Sequence, residues 1–244
     1  RVIAAARRRQ RQLVVGYILQ VHPAWQKFTE LARTLGKPLV MRMNLNQQSS
    51  GAEWATHQNL LRSTSPIVDC GVHYVDVMCR MTESRPVSVN GIGARLSDEI
   101  ALGQVNYGHL QVTFADGSVG WYEAGWGPMM SETAFFVKDV IGPKGSVSIV
   151  MAETAGAVKS DDINAHTKTN QILWHHADMS KPDERIDMTD EPDHDGLCER
   201  EQRYLLKAIN ENLDLTDHMD DAVKSLKIVI AADRSIHTGQ VVDL

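Results

Sequence analysis

No hydrophobic run in these 244 residues approaches membrane-span length. The longest early one, Leu13–Leu19, is far short of the twenty or so residues a spanning helix needs. Cysteine is scarce, odd in number and without metal-type spacing. Cys70, Cys79 and Cys198 therefore exclude a disulfide framework and read as reduced core thiols of an intracellular, cytoplasmic protein. Excess positive charge is lacking too: 25 basic against 31 acidic side chains leave −6, which argues against nucleic-acid binding. There is no internal repeat and no low-complexity tract. The charge is uneven: residues 1–12 carry five arginines and no acid. That start has the look of a transit peptide or a nucleic-acid arm. The helical spacing of Val2, Ile3 and Ala6, followed by a β-like run, instead predicts a surface helix feeding a strand. The chain opens without methionine and in the middle of that pattern, as a cut chain would.

What is present suffices for one large domain, or one domain and part of another, and a hydrophobic fraction of 43% can fill its core. The stretch Ser65–Met78 organises the rest. Ser65 can cap a helix that begins on Pro66, where a missing N–H costs nothing. Asp69, His73 and Asp76 then stand at i, i+4 and i+7, on one face of a helix whose other residues are apolar (Ile67, Val68, Cys70, Val72, Val75, Val77, Met78). Ionisable groups on a buried helix have mobile pKa values and suit proton transfer. The same residues also suit a self-satisfied buried pair, or two ligands of a zinc or iron site in a metal-dependent lyase or hydrolase.

Around that helix the pattern is legible in order. A strand is predicted at Leu13–Leu19, an amphipathic helix at Pro23–Leu35 stopped by Gly36, and a strand at Leu39–Asn46. A polar loop, Gln47–Glu53, leads to Trp54 and His57. Period-two runs follow at 87–96, 104–114, 118–124, 135–141, 146–151 and 170–176. Hairpin turns are predicted at Ala115-Asp116-Gly117 and Gly142-Pro143-Lys144-Gly145. An acidic stretch, Asp178–Gly196, reads as a long surface loop. Helices are predicted at Glu199–Asn212 and, capped by Asp217, from Met219 to about His237 with Gly239 ending it. The expected class is α+β: an open, mainly antiparallel sheet with helices on one face. His175 and His176 look metal-like, but adjacent strand residues point to opposite faces, so no metal site is expected there.

Several segments, in order, resemble the glucose–fructose oxidoreductase, inositol dehydrogenase and rhizopine-catabolism (Gfo/Idh/MocA) family of NAD(P)-dependent oxidoreductases. They are Val15-Gly16-Tyr17 with His22-Pro23, Leu35-Gly36-Lys37-Pro38, Gly51-Ala52-Glu53-Trp54, and the helix Asp69-Cys70-Gly71-Val72-His73-Tyr74-Val75-Asp76. Later come Phe114-Ala115-Asp116-Gly117-Ser118, Gly142-Pro143-Lys144-Gly145-Ser146, and Asp221-Ala222 to Ala231-Ala232. The resemblance implies a Rossmann domain binding NAD or NADP, followed by a C-terminal α+β domain that holds a sugar, cyclitol or other polyol. It implies His73 as the proton relay and Asp69 as its catalytic partner. It implies Trp54, His57, Asn46 and Asp76 toward the substrate, and Tyr17 and His22 near the nicotinamide. The family's Gly-x-Gly-x-x-Gly turn and Glu-Lys-Pro segment are not in the sequence, the usual Gly-Gly is Thr64-Ser65-Pro66-Ile67, and Ala55 stands where many members have arginine. Residues 1–36 are accordingly expected to be the trailing β-α edge of the nucleotide domain, and residues 37–244 the substrate domain. A module that keeps the sheet only for binding or assembly is the alternative. Large side chains on both faces of the strand around Trp121 and Tyr122, and Phe135 with Phe136, predict a homodimer or homotetramer paired through the open sheet face.

Overall fold

A computed structural model describes residues 1–132, 136–150, 159–167 and 169–244. The chain starts with α1 (Val2–Arg8), which buries none of its residues. The predicted strand after it does not form. A strand needs a neighbour for its amides and carbonyls. Here the Val15 amide donates instead to His218 Nε2 (3.0 Å), the Tyr17 amide to Val15 O, and a 3-10 turn at Ile18–Gln20 ends the run. Helix α2 (Pro23–Thr34) forms as its periodicity requires, with Trp25, Phe28, Leu31 and Ala32 buried. His22 caps it, accepting the Ala24 amide on Nδ1 at 3.2 Å.

Next come β1 (Val40–Gln47), α3 (Gly51–Leu60), α4 (Pro66–Asp69) and α5 (Gly71–Thr82). The expected polar loop before Trp54 is shortened at both ends, with Gln47 in β1 and Gly51–Glu53 opening α3, whose buried residues are only Trp54 and His57, too few to leave a periodic trace. The long helix from Pro66 is interrupted at Cys70, where the His73 amide turns to Cys70 O and the ladder restarts as α5. Strands β2 (Pro86–Ala94), β3 (Tyr107–Phe114), β4 (Val119–Trp126), β5 (Lys138–Gly142) and β6 (Gly145–Val150) follow with the predicted hairpins. After α6 (Ile163–Thr167) come β7 (Gln171–His176) and β8 (Glu184–Asp187). The acidic stretch is thus not all loop: β8 pairs with β7 as an exposed edge. Helix α7 (His194–Asn210) starts within it, its Gly196 amide held by Asp193. Helix α8 (Thr216–Thr238) starts ahead of Asp217, with Asp214 accepting the Thr216 amide at 2.9 Å, and β9 (Val242–Asp243) closes the chain. Phe135, used in the sequence reading, lies outside the described residues.

The strands make one sheet of order β8-β7-β6-β5-β1-β4-β3-β2-β9. It is antiparallel except in its middle, where β1 runs parallel to β4. That departs from an all-hairpin sheet for a topological reason: β1 reaches β4 through helices and two other strands, not through a turn. Helices α2, α4, α5 and α8 cover one face and share a single core with the inward residues of the sheet, including Met41, Met43, Leu110, Val112, Tyr122 and Val140. Close approach is built in by glycine. A Cβ on Gly71 would stand 3.0 Å from the Tyr122 ring, and one on Gly91 would strike the Ala232 carbonyl of α8. The opposite face carries Arg42 paired with Asp139, beside Trp121, Glu123 and His109.

Candidate active site

The interruption at Cys70 lies at the edge of a cleft of about 210 Å³, where α4 and α5 meet the 3-10 turn and α6. Asp69, Cys70, His73 and Tyr74 form one wall; Ile18 and Leu19 another; Leu45, Ile163, His166, Thr167 and His194 complete it. Asp69 and His73 are therefore brought together, and no hydrogen bond joins them among the described residues. Asp69 Oδ2 instead lies 3.6 Å from the Cys70 thiol. Burial raises the Asp69 pKa, with the thiol acting the other way. Burial, then the charge of His194, lowers that of His73 to about 4. Near neutral pH the cleft thus holds a neutral imidazole, able to accept a proton, beside the Asp69 carboxyl group. His73 Nδ1 is buried without a partner, so Nε2 is the atom through which the ring meets the cleft. Tyr17 stands edge-on to His73, with centroids 5.5 Å apart, and its hydroxyl donates to Ala222 O.

The other sequence-derived candidates are placed elsewhere. Asp76, one turn along, faces away from the cleft. It is fully buried, accepting from Gln20 Nε2 at 2.8 Å and Ser225 Oγ at 3.2 Å, and burial raises its pKa to about 6. Asn46 lies on the open face of the sheet, donating to Glu123 at 2.9 Å. His22 is the cap of α2 and does not line the cleft. Trp54 and His57 form a second small core beside it with Leu61, Ile100 and Trp126. Trp54 Nε1 donates to Glu99, and the His57 ring stacks on Trp126 at 4.5 Å and 5°. Among the described residues no group of three His, Cys, Asp or Glu side chains converges in a way that could hold a metal.

Three further residues stand out, Gln47, His166 and Lys138. Gln47 is in phase with Met41, Met43 and Leu45 and so points to the helix side. There it links Trp126 (2.7 Å), His166 (3.1 Å) and the Cys70 thiol (3.9 Å). Period two counted from Met41 would have marked it; His166, in an aperiodic polar stretch, gave no signal. Lys138 is buried on β5 under the rings of Tyr74 (4.9 Å) and Phe136 (4.5 Å), donates to Asn44 O, and is lowered to about 7 by burial.

A nicotinamide ring would fit the apolar Ile18–Leu19 wall beside His73. The helix that follows this wall in the chain, α2, offers a pyrophosphate little: it begins on Pro23, which has no N–H, and its Ala24 amide is taken by His22.

Residues 30–148 match the model of the GFO/IDH/MocA C-terminal domain. No curated protein matches the chain in sequence. Among solved structures it is similar to the aldose-aldose oxidoreductase from Caulobacter crescentus complexed with glycerol. The TM-score there is 0.74 at 19% identity, over 99% of this chain and 67% of that one. An oxidoreductase from Agrobacterium radiobacter in complex with NAD+, L-tartaric acid and magnesium gives 0.72 at 12%, over 99% and 67%. UDP-N-acetylglucosamine 3-dehydrogenase from Acidithiobacillus ferrooxidans gives 0.65 at 18%, over 96% and 66%. At such identities the likeness is one of fold, and the chain spans about two thirds of each relative's length.

Proposed function

From the match of residues 30–148 to the model of the GFO/IDH/MocA C-terminal domain, we propose that this chain is the substrate-binding and acid–base part of an NAD(P)-dependent oxidoreductase acting on a sugar, cyclitol or related polyol. The observation that carries the reading is the meeting of Asp69 and a neutral His73 in one partly apolar cleft. Oxidation of a secondary alcohol removes a hydride from carbon and a proton from oxygen. A bound nicotinamide supplies the hydride acceptor. The chain supplies the rest: His73 Nε2 takes the hydroxyl proton, and the Asp69 carboxylate stabilises the imidazolium that results. Ile18, Leu19 and Leu45 keep water from the reacting carbon.

The test is NAD(P)H formation from a panel of sugars and cyclitols by the full natural gene product and its His73→Ala variant. Loss of a positioned base should lower turnover by roughly a hundredfold or more. With the His73 pKa held near 4, the acid limb of the rate profile should lie well below pH 6.5. Unchanged turnover in the variant would end this reading.

A further inference from the structure

We infer that His166 is a second substrate-contacting ring of the cleft, a hydrogen-bond donor through Nδ1, and that Gln47 is the residue that positions it. What the ring would touch rests on the polyol reading above; how it is held does not. The indole N–H of Trp126 can only donate, and it donates to Gln47 Oε1 at 2.7 Å. That orients the amide. Gln47 Nε2 then faces His166 Nε2 at 3.1 Å, and because an amide N–H also only donates, His166 Nε2 accepts. A neutral ring has one proton, which is left on Nδ1.

One contact pulls the other way. The Ser160 carbonyl lies 3.0 Å from the same Nε2 and would accept a proton placed there. The two demands are unequal. A proton on Nε2 would set an imidazole N–H against the Gln47 N–H and orphan a donor, whereas a proton on Nδ1 leaves only a carbonyl short of one partner. Orphaned buried donors are the rarer event in folded proteins. Burial lowers the ring's pKa to about 4 and so keeps it neutral, with the Ser160 carbonyl acting the other way and Lys138 adding to the effect of burial.

The backbone is held as well, since Tyr74 Oη donates to His166 O at 3.2 Å and ties α6 to α5. The ring's hydrogen-bond contacts all fall on Nε2, which leaves Nδ1 without a hydrogen-bond partner among the described residues on a side chain that lines the cleft. The cleft then presents an acceptor, His73 Nε2, and a donor, His166 Nδ1–H, from different elements. That pair suits a vicinal diol: one hydroxyl gives its proton to His73 while its neighbour's oxygen accepts from His166.

The experiment reads the tautomer directly. In long-range 1H–15N spectra of the chain labelled with 15N-histidine at pH 7, without ligand, His166 should show its proton on Nδ1. Gln47→Glu keeps the shape and still accepts from Trp126, but offers His166 an acceptor. It should drive the proton to Nε2 and raise the ring's pKa. A wild-type ring protonated on Nε2, or a tautomer indifferent to Gln47→Glu, overturns the inference. With myo-inositol added at high concentration, the resonances of His73 and His166 should shift together. A shift at His73 alone overturns the contact. Absence of a shift at His73 counts against the polyol reading, and the ligand-free tautomer still decides how His166 is held.

Discussion

Asp76 separates two roles that look alike in a sequence. It shares a helical stripe with Asp69 and His73, yet its carboxyl is spent on Gln20 and Ser225, tying α5 to the 3-10 turn and to α8. Burial raises its pKa from 3.8 to about 6, with the two hydrogen bonds acting against that shift. For an acid whose folded pKa is raised, the folded state binds the proton more tightly. Stability is therefore fullest below pH 4, falls as pH rises through about 6, and is level above it. A shift of about two units corresponds to about 3 kcal/mol. Asp76→Asn should abolish that slope, so that its unfolding midpoint gains on the wild type steadily between pH 4 and pH 6. An offset that stays constant over this range would show that Asp76 does not titrate there. The same comparison explains what a heptad-like stripe cannot reveal: spacing puts side chains on one face, while only the neighbours, here Ser225 from far along the chain, decide which are spent on structure.

At the scale of elements, α5 is placed by one missing side chain. Gly71 lets the helix settle on the Tyr122 ring, which in turn stacks on Tyr74 at 4.9 Å. Gly71→Val should lower the unfolding free energy by about 1–3 kcal/mol, the usual cost of overfilling a close-packed core. Urea denaturation measures it, and wild-type stability would mean that α5 stands off the sheet. Elements whose burial alternates or repeats were legible: α2, the hairpins at Gly117 and Gly145, and α8 with its Gly239 end. Those defined by partners were not. The run Leu13–Leu19 is as apolar as a strand but has no strand beside it among the described residues. Helix α3 buries two side chains, and β8 is an exposed edge recognisable only by its pairing with β7. The cleft divides in the same way. Asp69 and His73 were legible because α4 and α5 follow one another with a single residue between them, and a four-residue spacing still brings both to one wall. Gln47 and His166 come together across 119 positions, and no local pattern encodes such a meeting.

For the molecule as a whole, the feature to weigh is the sheet face opposite α2, α4, α5 and α8. Ile141, Val40 and Val119 lie side by side on three adjacent strands, each more than a third exposed, with Trp121 in the next row. Tyr122 is fully buried on the helix side, so of the two aromatic candidates only Trp121 can meet a partner. We propose a homodimer, or a dimer of dimers, formed through this face, since an apolar row on a sheet this wide is a poor surface to leave in water. Light scattering behind size exclusion should give at least twice the chain mass at micromolar concentration, and Trp121→Glu should give a folded monomer. A folded wild-type chain that runs as a monomer would refute the pairing.

The parallel placement of β1 also sets a schedule. Of the strands of this sheet it is synthesised first, and both of its neighbours, β4 and β5, are encoded downstream. Gln47 precedes its ladder partner Trp126 by 79 residues. At ribosomal speeds of about 5–20 residues per second, that is a wait of about 4–16 seconds. Throughout it Met41, Met43 and Leu45 have no sheet to join, while β2 and β3 can already zip together behind them. Within this sheet β1 is held on both sides only after β5 has emerged, and β6 to β9 then add outward from that seam.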